Sequence, residues 1–167
     1  MDTRWILILT VVIAALGCGY SIIESSTTVG SAVTVIDKCA ATVPGDFSVE
    51  ESRNYDVTLA HDGTAEKIKI KEIEKNNTVK KEINNLTKSI KKSYKIQYNN
   101  TWKTPDKNKV YTIYYKNSTD NLSTSVFYVN KYTFVLNTTG YDNTTKLTKD
   151  VGYIVDTIRP DYKQSQD

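Results

Sequence analysis

The spacing of hydrophobic and polar positions changes several times along the chain, and the first pattern is a long apolar run. Residues 5–23 (WILILTVVIAALGCGYSII) are uncharged and mostly apolar, and they lie between Arg4 and Glu24. As a helix they would span roughly 28 Å, close to the ~30 Å hydrocarbon core of a bilayer. They predict a single transmembrane anchor that follows a short cytoplasmic flank at residues 1–4.

Two other fates stay open for this run. Ala15 and Gly17 suit cleavage of a signal peptide before Cys18, although the apolar positions continue to Ile23. The sequence Leu16-Gly17-Cys18 is also similar to a lipoprotein processing site, in which Cys18 would be lipidated. An anchor or a lipid would each hold the rest of the chain at a membrane. The positive-inside rule, applied to the short flank with Arg4, places that remainder outside the cytoplasm.

Residues 24–42 are rich in Ser and Thr and predict a flexible linker, within which residues 32–36 alternate enough to form a first strand. Pro44-Gly45 then predicts a tight turn at the entrance to a domain over residues 43–162. Residues 163–167 form a polar tail. One domain of this size is long enough to bury a hydrophobic core.

Within the domain, period-two alternation at residues 55–59 and 68–70, with turn residues 61–63 between them, predicts a β-hairpin. The spacing changes at residues 76–93, where apolar residues recur every three or four positions. This pattern predicts an amphipathic helix with one apolar stripe, formed by Val79, Ile83, Leu86 and Ile90.

Four strand-like segments follow at residues 94–98, 110–115, 124–129 and 132–136, and Asn130-Lys131 stands where a two-residue hairpin loop belongs. A last helix has the apolar stripe Leu147, Val151, Ile154, Val155 and Ile158, with Asp142 and Asn143 as candidate caps and Pro160 as its stop. The predicted fold class is therefore α+β. It comprises an antiparallel sheet of six to seven strands packed with two amphipathic helices, preceded by one N-terminal transmembrane helix.

A family resemblance is carried by four features of the chain. They are the anchor, the spacer, the Val-Pro-Gly-Asp-Phe entrance at residues 43–47 and the closing Ile-Val-Asp-Thr-Ile at residues 154–158. In this element order the chain resembles small membrane-anchored proteins of unknown function from methanogenic archaea. Their domain is similar to the PsbP-like fold of photosystem II extrinsic proteins. The resemblance brings no catalytic residues and implies an accessory or binding role.

Asparagine context gives the most informative local motif. Asn-X-Ser/Thr, the acceptor pattern for N-glycosylation, occurs seven times without proline in the middle position. These candidate sites are Asn76, Asn85, Asn99, Asn117, Asn121, Asn137 and Asn143. An Asn- and Thr-rich composition raises the number by chance, yet the pattern favours an extracytoplasmic location.

Positive charge is concentrated in the middle of the chain, although the net charge of the whole chain is only +3. Lysines of the hairpin and of the first helix form a candidate basic surface: Lys67, Lys69, Lys71, Lys80, Lys81, Lys88, Lys91 and Lys92. Such a surface suits anionic headgroups or anionic cell-wall polymers, although most lysine runs are simply solvated faces. An envelope protein is the other candidate partner. No nucleic-acid-binding motif is present.

Candidate chemistry is sparse. His61 is the only histidine, and the chain has no nucleophile elbow, no phosphate-binding loop and no metal-ligand spacing. Ten of the twelve tyrosines lie from residue 94 onward, and Trp102 lies in the same part of the chain. Such aromatic rings suit glycan stacking or protein contacts, but more often they pack on a sheet. We therefore expect a non-catalytic binding or envelope-accessory domain without a cofactor. The alternatives are a lipoprotein-like solute sensor and a cell-surface hydrolase that uses carboxylates such as Glu50, Glu51 or Asp56.

Overall fold

The computed structural model describes residues 33–36, 39–53, 56–73 and 78–160, which form ten strands and two helices. The first half contains β1 (Val33–Ile36), β2 (Cys39–Thr42), β3 (Phe47–Arg53), β4 (Asp56–His61), β5 (Lys67–Ile73) and α1 (Val79–Ser93). The second half contains β6 (Lys95–Lys103), β7 (Lys109–Lys116), β8 (Asn121–Val129), β9 (Tyr132–Thr139), α2 (Thr144–Thr157) and β10 (Arg159–Pro160).

Seven of these strands form one antiparallel sheet in the order β3-β4-β5-β9-β8-β7-β6. Each half of the sheet is a meander of consecutive strands, and the pairing of β5 with β9 joins the two halves. The strands β1, β2 and β10 form a separate three-stranded antiparallel sheet. The two edge strands of the large sheet are therefore β3 and β6, each of which is the first strand of its meander.

The main core lies on the face of the large sheet that carries α2 and the small sheet. Strand alternation points Val57, Ile70 and Leu136 to this face, where they are fully buried. Val151 and Ile154 of α2 pack in the same cluster. The alternating strand pattern and the helical stripe seen in the sequence thus meet in one hydrophobic layer.

The helix α1 covers the opposite face over β6, β7 and β8. Ile90 contributes to a small second cluster there with Ile113 and Tyr115, and Leu86 packs beside it. The helix begins where Thr78 caps it, since the Thr78 side chain accepts a hydrogen bond from the backbone N–H of Lys81. The rest of this face, over β4 and β5, carries mostly polar side chains.

Two turns have backbone conformations that explain their residues. Asn130 and Lys131 have φ angles of 50° and 71°, as the two-residue loop of a hairpin requires, which confirms the turn predicted between β8 and β9. Gly140 has a φ of 78°, and a Cβ there would lie 2.4 Å from the carbonyl oxygen of Ala65. Only glycine fits at that position without moving the backbone.

The fold class predicted from the sequence is wrong. The described part of the chain is mostly β, with a second sheet in addition to the seven-stranded one, rather than an α+β fold led by a transmembrane helix. Among the residues that the structure describes, neither helix is long and apolar enough to cross a bilayer. The predicted anchor at residues 5–23, including Cys18, lies outside the described residues.

The physical reason for the error lies in β2 and β3. The strand β2 consists of the small residues Cys-Ala-Ala-Thr, of which the first three are buried, so its burial does not alternate. In β3 only Phe47 is buried and the other six residues are exposed, because the strand is at the edge of its sheet. Neither strand has the half-buried period of two that marks a strand in sequence.

Candidate functional site

The edge strand β6 and the helix α2 enclose a trough on the main face of the large sheet. Tyr98 pairs with Tyr114, and Trp102 pairs with Val110, which places both β6 aromatic side chains on the face that carries α2. Among the described strands β6 is the last in the sheet order, so this side of the trough is open. Two cavities lie along the trough, and Thr144 at the start of α2 lines both.

The larger cavity has a volume of about 750 Å³. This volume is within the usual range of small-molecule binding sites, about 300–1,000 Å³. Its strand side includes Trp102, Lys103 and the loop residues Pro105 and Asp106, and its helix side includes Thr145, Thr148, Lys149, Gly152, Tyr153 and Asp156. The cavity therefore combines aromatic rings with hydroxyl, carboxylate and ammonium groups.

Trp102 is held in a fixed position at this cavity. Its indole N–H donates a hydrogen bond of 3.0 Å to the hydroxyl of Thr112, so the polar atom of the ring is directed into the sheet. The opposite end of the ring lies beside Gly152, where a Cβ would be 3.6 Å from the ring. Because Gly152 has no side chain, helix and indole approach closely and leave the cavity open above them.

The loop between β6 and β7 is fastened to α2 by one carboxylate. Asp156 accepts hydrogen bonds from the hydroxyl of Thr104, from Nδ2 of Asn108 at 2.8 Å and from the backbone N–H of Asp106 at 3.1 Å. The Thr104 hydroxyl also accepts from the backbone N–H of Asn108 at 3.1 Å. These bonds give the larger cavity a rigid outer wall.

The smaller cavity, of about 160 Å³, lies at the other end of the trough and is lined by Tyr98, Tyr114 and Tyr141 among others. The rings of Tyr98 and Tyr114 are stacked with centroids 4.4 Å apart. Burial raises the pKa of Tyr114, and a hydrogen bond with Thr148 offsets part of that effect. The Tyr114 hydroxyl therefore stays neutral. Tyr98 is 48% exposed, so its second ring face is accessible.

Charges along the trough nearly cancel. Lys103 and Lys149 are balanced by Asp106 and Asp156 in the larger cavity, and Asp142 lines the smaller one. The described residues that line the trough therefore carry no excess of positive charge that would favour an anionic ligand.

A partly buried ion cluster holds α2 to the start of β5. Lys146 contacts Glu66 and, at 3.3 Å, Asp150, whose carboxylate also accepts a hydrogen bond of 3.0 Å from Tyr141. Burial lowers the pKa of Lys146, but the Glu66 hydrogen bond and the charge of Asp150 more than compensate and raise it. Burial, reinforced by the Asp150 charge, strongly raises the pKa of Tyr141. The cluster thus has a charged lysine and a neutral tyrosine, and it positions the helix wall of the trough.

The groups considered for enzymatic chemistry lie elsewhere. Nδ1 of His61 accepts a hydrogen bond of 3.0 Å from the backbone N–H of Gly63, so the histidine shapes its turn. Each of the carboxylates Glu50, Glu51 and Asp56 lies beside a cation, respectively Lys67, Arg53 and Lys69. Within the described residues no group of three His, Cys, Asp or Glu side chains is placed to hold a metal ion.

The predicted glycosylation sites differ in accessibility. The exposed asparagines are Asn85, Asn99, Asn121 and Asn143. Asn117 and Asn137 are half-buried, and the side-chain carbonyl of Asn137 accepts a hydrogen bond of 2.7 Å from Thr124. The Asn143 side chain caps α2 through the backbone N–H of Thr145 at 2.8 Å. Asn76 lies outside the described residues, and glycosylation at each site stays a prediction.

The lysines of the predicted basic surface share one side of the molecule. Strand register places Lys67, Lys69 and Lys71 on the face of the large sheet that also carries α1, and the five α1 lysines are exposed. Lys67 and Lys69 are beside the carboxylates of Glu50 and Asp56. The hairpin part of this surface is therefore partly neutralised, and it is remote from the trough because it lies on the other face of the sheet.

The sequence did not indicate Gly152 as a site residue, and it indicated Tyr98 and Trp102 only as members of a group of aromatic residues late in the chain. One signal pointed to the site, namely an isolated glycine inside the apolar pattern of the last helix. Such a glycine often marks a close approach. Its partner across the trough becomes visible only when β6 and α2 are placed side by side.

No family model matches the chain, and no curated protein matches it. Among solved structures, the chain is similar to a cyanobacterial PsbP (CyanoP) from Synechocystis sp. PCC 6803, with 11% identity and a TM-score of 0.43 over 75% of this chain and 88% of that one. It is also similar to a protein from Bacteroides thetaiotaomicron, with 9% identity and a TM-score of 0.41 over 78% of this chain and 47% of that one. A PsbP protein is thus among the structural neighbours, whereas membrane anchoring and an archaeal source stay predictions.

Proposed function

We propose that the protein is a non-catalytic binding domain that works outside the cytoplasm and holds its ligand in the trough between β6 and α2. The trough is the observation that carries this proposal. Its larger cavity of about 750 Å³ has an indole fixed by Thr112 and a wall fixed by Asp156. A site whose walls are already in place loses little entropy when a ligand binds.

The absence of catalysis is proposed because two ionisable groups of the α2 wall, Asp156 and Lys146, are committed to holding the fold. Asp156 receives three hydrogen bonds from the β6–β7 loop, and Lys146 is bound to two carboxylates. A general acid or base must be able to reach the reacting atom and exchange a proton with it. Groups that are saturated by structural partners are poorly suited to that role.

The location outside the cytoplasm is supported by the predicted glycosylation sites, of which Asn85, Asn99, Asn121 and Asn143 are exposed. The partners proposed there are a membrane, an envelope protein or an anionic wall polymer. Protease treatment of intact cells tests the location, and full digestion of the domain is expected. Protection of the domain in intact cells, with digestion after lysis, would contradict it.

Binding is tested with full-length protein in detergent. The chain has two tryptophans, so Trp5→Phe leaves Trp102 as the only indole. Titration with a fractionated envelope extract should produce a saturable change in Trp102 emission, with the extract recovered chemically unchanged. Time-dependent degradation of the extract by the protein, without saturable binding, would refute the non-catalytic proposal.

The two alternatives have separate tests. If the protein is a hydrolase that uses Glu50, Glu51 and Asp56, their conversion to Gln, Gln and Asn must abolish the degradation of envelope material. If it is a lipoprotein-like sensor, mass spectra of the protein from cells must show a lipid on Cys18. An unmodified Cys18 in the full-length product would contradict lipidation.

A further inference from the structure

We propose that the ligand of the trough is an uncharged oligosaccharide chain that lies along β6 and contacts the rings of Tyr98 and Trp102. This inference rests on the proposed function and specifies the chemical class of its ligand. A pyranose ring has an apolar C–H face that packs on an aromatic side chain, and hydroxyls at its edge that need hydrogen-bond partners. The trough offers both kinds of contact.

The spacing of the two rings favours a chain of sugars over a single sugar. Tyr98 and Trp102 are four residues apart on β6 and project to the same face. Four residues of extended strand correspond to about 13 Å. One sugar ring cannot contact both side chains, whereas a short oligosaccharide can.

Both rings are already positioned for stacking. One face of Tyr98 lies on Tyr114, and the exposed fraction of Tyr98, 48%, leaves the other face for a ligand. The Trp102 indole is fixed by its hydrogen bond to Thr112. The rotamer entropy that these side chains would lose on binding has therefore been lost already in folding.

The hydrogen-bonding groups of the trough match an uncharged polyol. Thr144, Thr145 and Thr148 are hydroxyl-bearing residues of the α2 wall, and the lysines of the larger cavity are balanced by aspartates. An anionic polymer would meet no net positive charge here. The basic surface, which lies on the other face of the sheet, is the part of the molecule suited to such polymers.

An extended peptide added to the edge of β6 fits the structure less well. Lysines stand at both ends of this strand, Lys95 and Lys103, and the register shifts between Ile96 and Tyr98. Charged ends and bulges are features that discourage the addition of another strand to a sheet edge. The trough, moreover, lies on the face of the sheet rather than along its backbone edge.

The test uses the full-length Trp5→Phe protein in a detergent without a sugar headgroup. The probes are cellotetraose, mannotetraose and chitotetraose, with glucose as the single-ring control and tetragalacturonate as the anionic control. At least one uncharged tetrasaccharide should change Trp102 emission saturably and bind more tightly than glucose and tetragalacturonate. No saturable change with any tetrasaccharide up to about 10 mM, or tighter binding of tetragalacturonate, would overturn the inference.

Two matched variants locate the binding site. Tyr98→Ser should weaken tetrasaccharide binding about threefold to tenfold, because one stacking ring is lost. Tyr128→Ser should leave it unchanged, since Tyr128 is 57% exposed on the opposite face of the sheet. Equal effects of the two variants, or none from Tyr98→Ser, would refute the placement. Unfolding curves of both variants show whether they are folded.

The envelope fraction separates the failure of this inference from the failure of the proposed function. Periodate oxidation of the fraction should abolish its effect on Trp102, whereas protease digestion should not. If the fraction acts through a protease-sensitive component and the tetrasaccharides fail, the carbohydrate inference falls and the binding function stands. If neither the fraction nor any tetrasaccharide perturbs Trp102, both fall.

Discussion

Replacement of Gly152 by alanine tests the structure of the trough most directly. Gly152 is buried in the interior of α2, where glycine is less favourable than alanine by about 0.8–1.0 kcal/mol. A Cβ at this position would lie 3.6 Å and 3.7 Å from two atoms of the Trp102 ring and 3.9 Å from a methyl carbon of Thr104. These are ordinary van der Waals separations, so the new methyl group causes no clash.

We therefore expect Gly152→Ala to stabilise the protein. The helix-propensity gain is about 1 kcal/mol, and small adjustments of the Trp102 ring offset part of the further gain from a newly buried methyl group, about 0.8 kcal/mol. The net increase in the free energy of unfolding should be about 1 kcal/mol, which corresponds to a rise in Tm of roughly 3–5 °C for a domain of this size. Urea denaturation and thermal unfolding measure these two quantities.

Gly140→Ala is the matched control, because it makes the same chemical change in the opposite environment. The φ of Gly140 is 78°, and its Cβ would lie 2.4 Å from the carbonyl oxygen of Ala65. The left-handed conformation costs an alanine about 1–2 kcal/mol, and relief of the clash must move backbone. We expect a loss of at least about 2 kcal/mol, opposite in sign to the effect at Gly152.

The Gly152 variant also links stability to binding. Gly152 lines the larger cavity, so an added methyl group takes up space at the cavity wall and should weaken ligand binding at the trough while it raises Tm. A loss of more than about 1 kcal/mol would refute the packing described between α2 and Trp102. Increased stability with unchanged ligand affinity would instead show that the larger cavity is not the binding site.

Three further predictions concern the loop, the first helix and alkaline pH. Asp156→Ala leaves the donors of the β6–β7 loop without their acceptor, so it should lower the free energy of unfolding, measured by urea denaturation, by about 1–3 kcal/mol. The control Asp106→Ala removes no such acceptor and should change this free energy little. Ile90→Ala should cost about 2–4 kcal/mol and increase proteolysis within α1, and unchanged proteolysis would contradict the packing of that helix on the sheet. Folding raises the pKa of Tyr141 above 10.0 and that of Lys146 above 10.5, so the protonated forms favour the native state. The contribution of these two groups to the free energy of unfolding should be fully present below pH 10.0 and should fall as the pH rises beyond it. A free energy of unfolding, measured by urea denaturation, that does not change at alkaline pH would refute this linkage.

The sequence by itself determined the elements whose signals are local. The three- and four-residue spacing of apolar positions predicted α1, and the alternation around residues 55–71 predicted the hairpin of β4 and β5. The Asn130-Lys131 loop was predicted as well, and so was the cap of α2 as one of two candidates, Asp142 and Asn143, since caps and two-residue turns depend on a few neighbouring residues. Burial of one face imposes these periods on the sequence, so they can be recognised without the fold.

Strands without a one-sided burial pattern could not be recognised in this way. In β2 the buried residues are small, and in β3 a single buried Phe47 is followed by exposed residues. The separate three-stranded sheet also depends on β10, a two-residue strand that pairs with β2 from the far end of the domain. This second sheet forms only through tertiary contacts. Because it could not be recognised in the sequence, the β content was underestimated and the predicted fold class was wrong.

The trough was decided only by the tertiary structure. The bond between Thr104 and Asp156 joins residues 52 positions apart, and the contact of Lys146 with Glu66 joins residues 80 positions apart. These contacts form because β5 pairs with β9 and because α2 packs across the resulting sheet. Local sequence constrains the dihedral angles and the exposed face of each element, but the groups that meet between two elements depend on how those elements pack together.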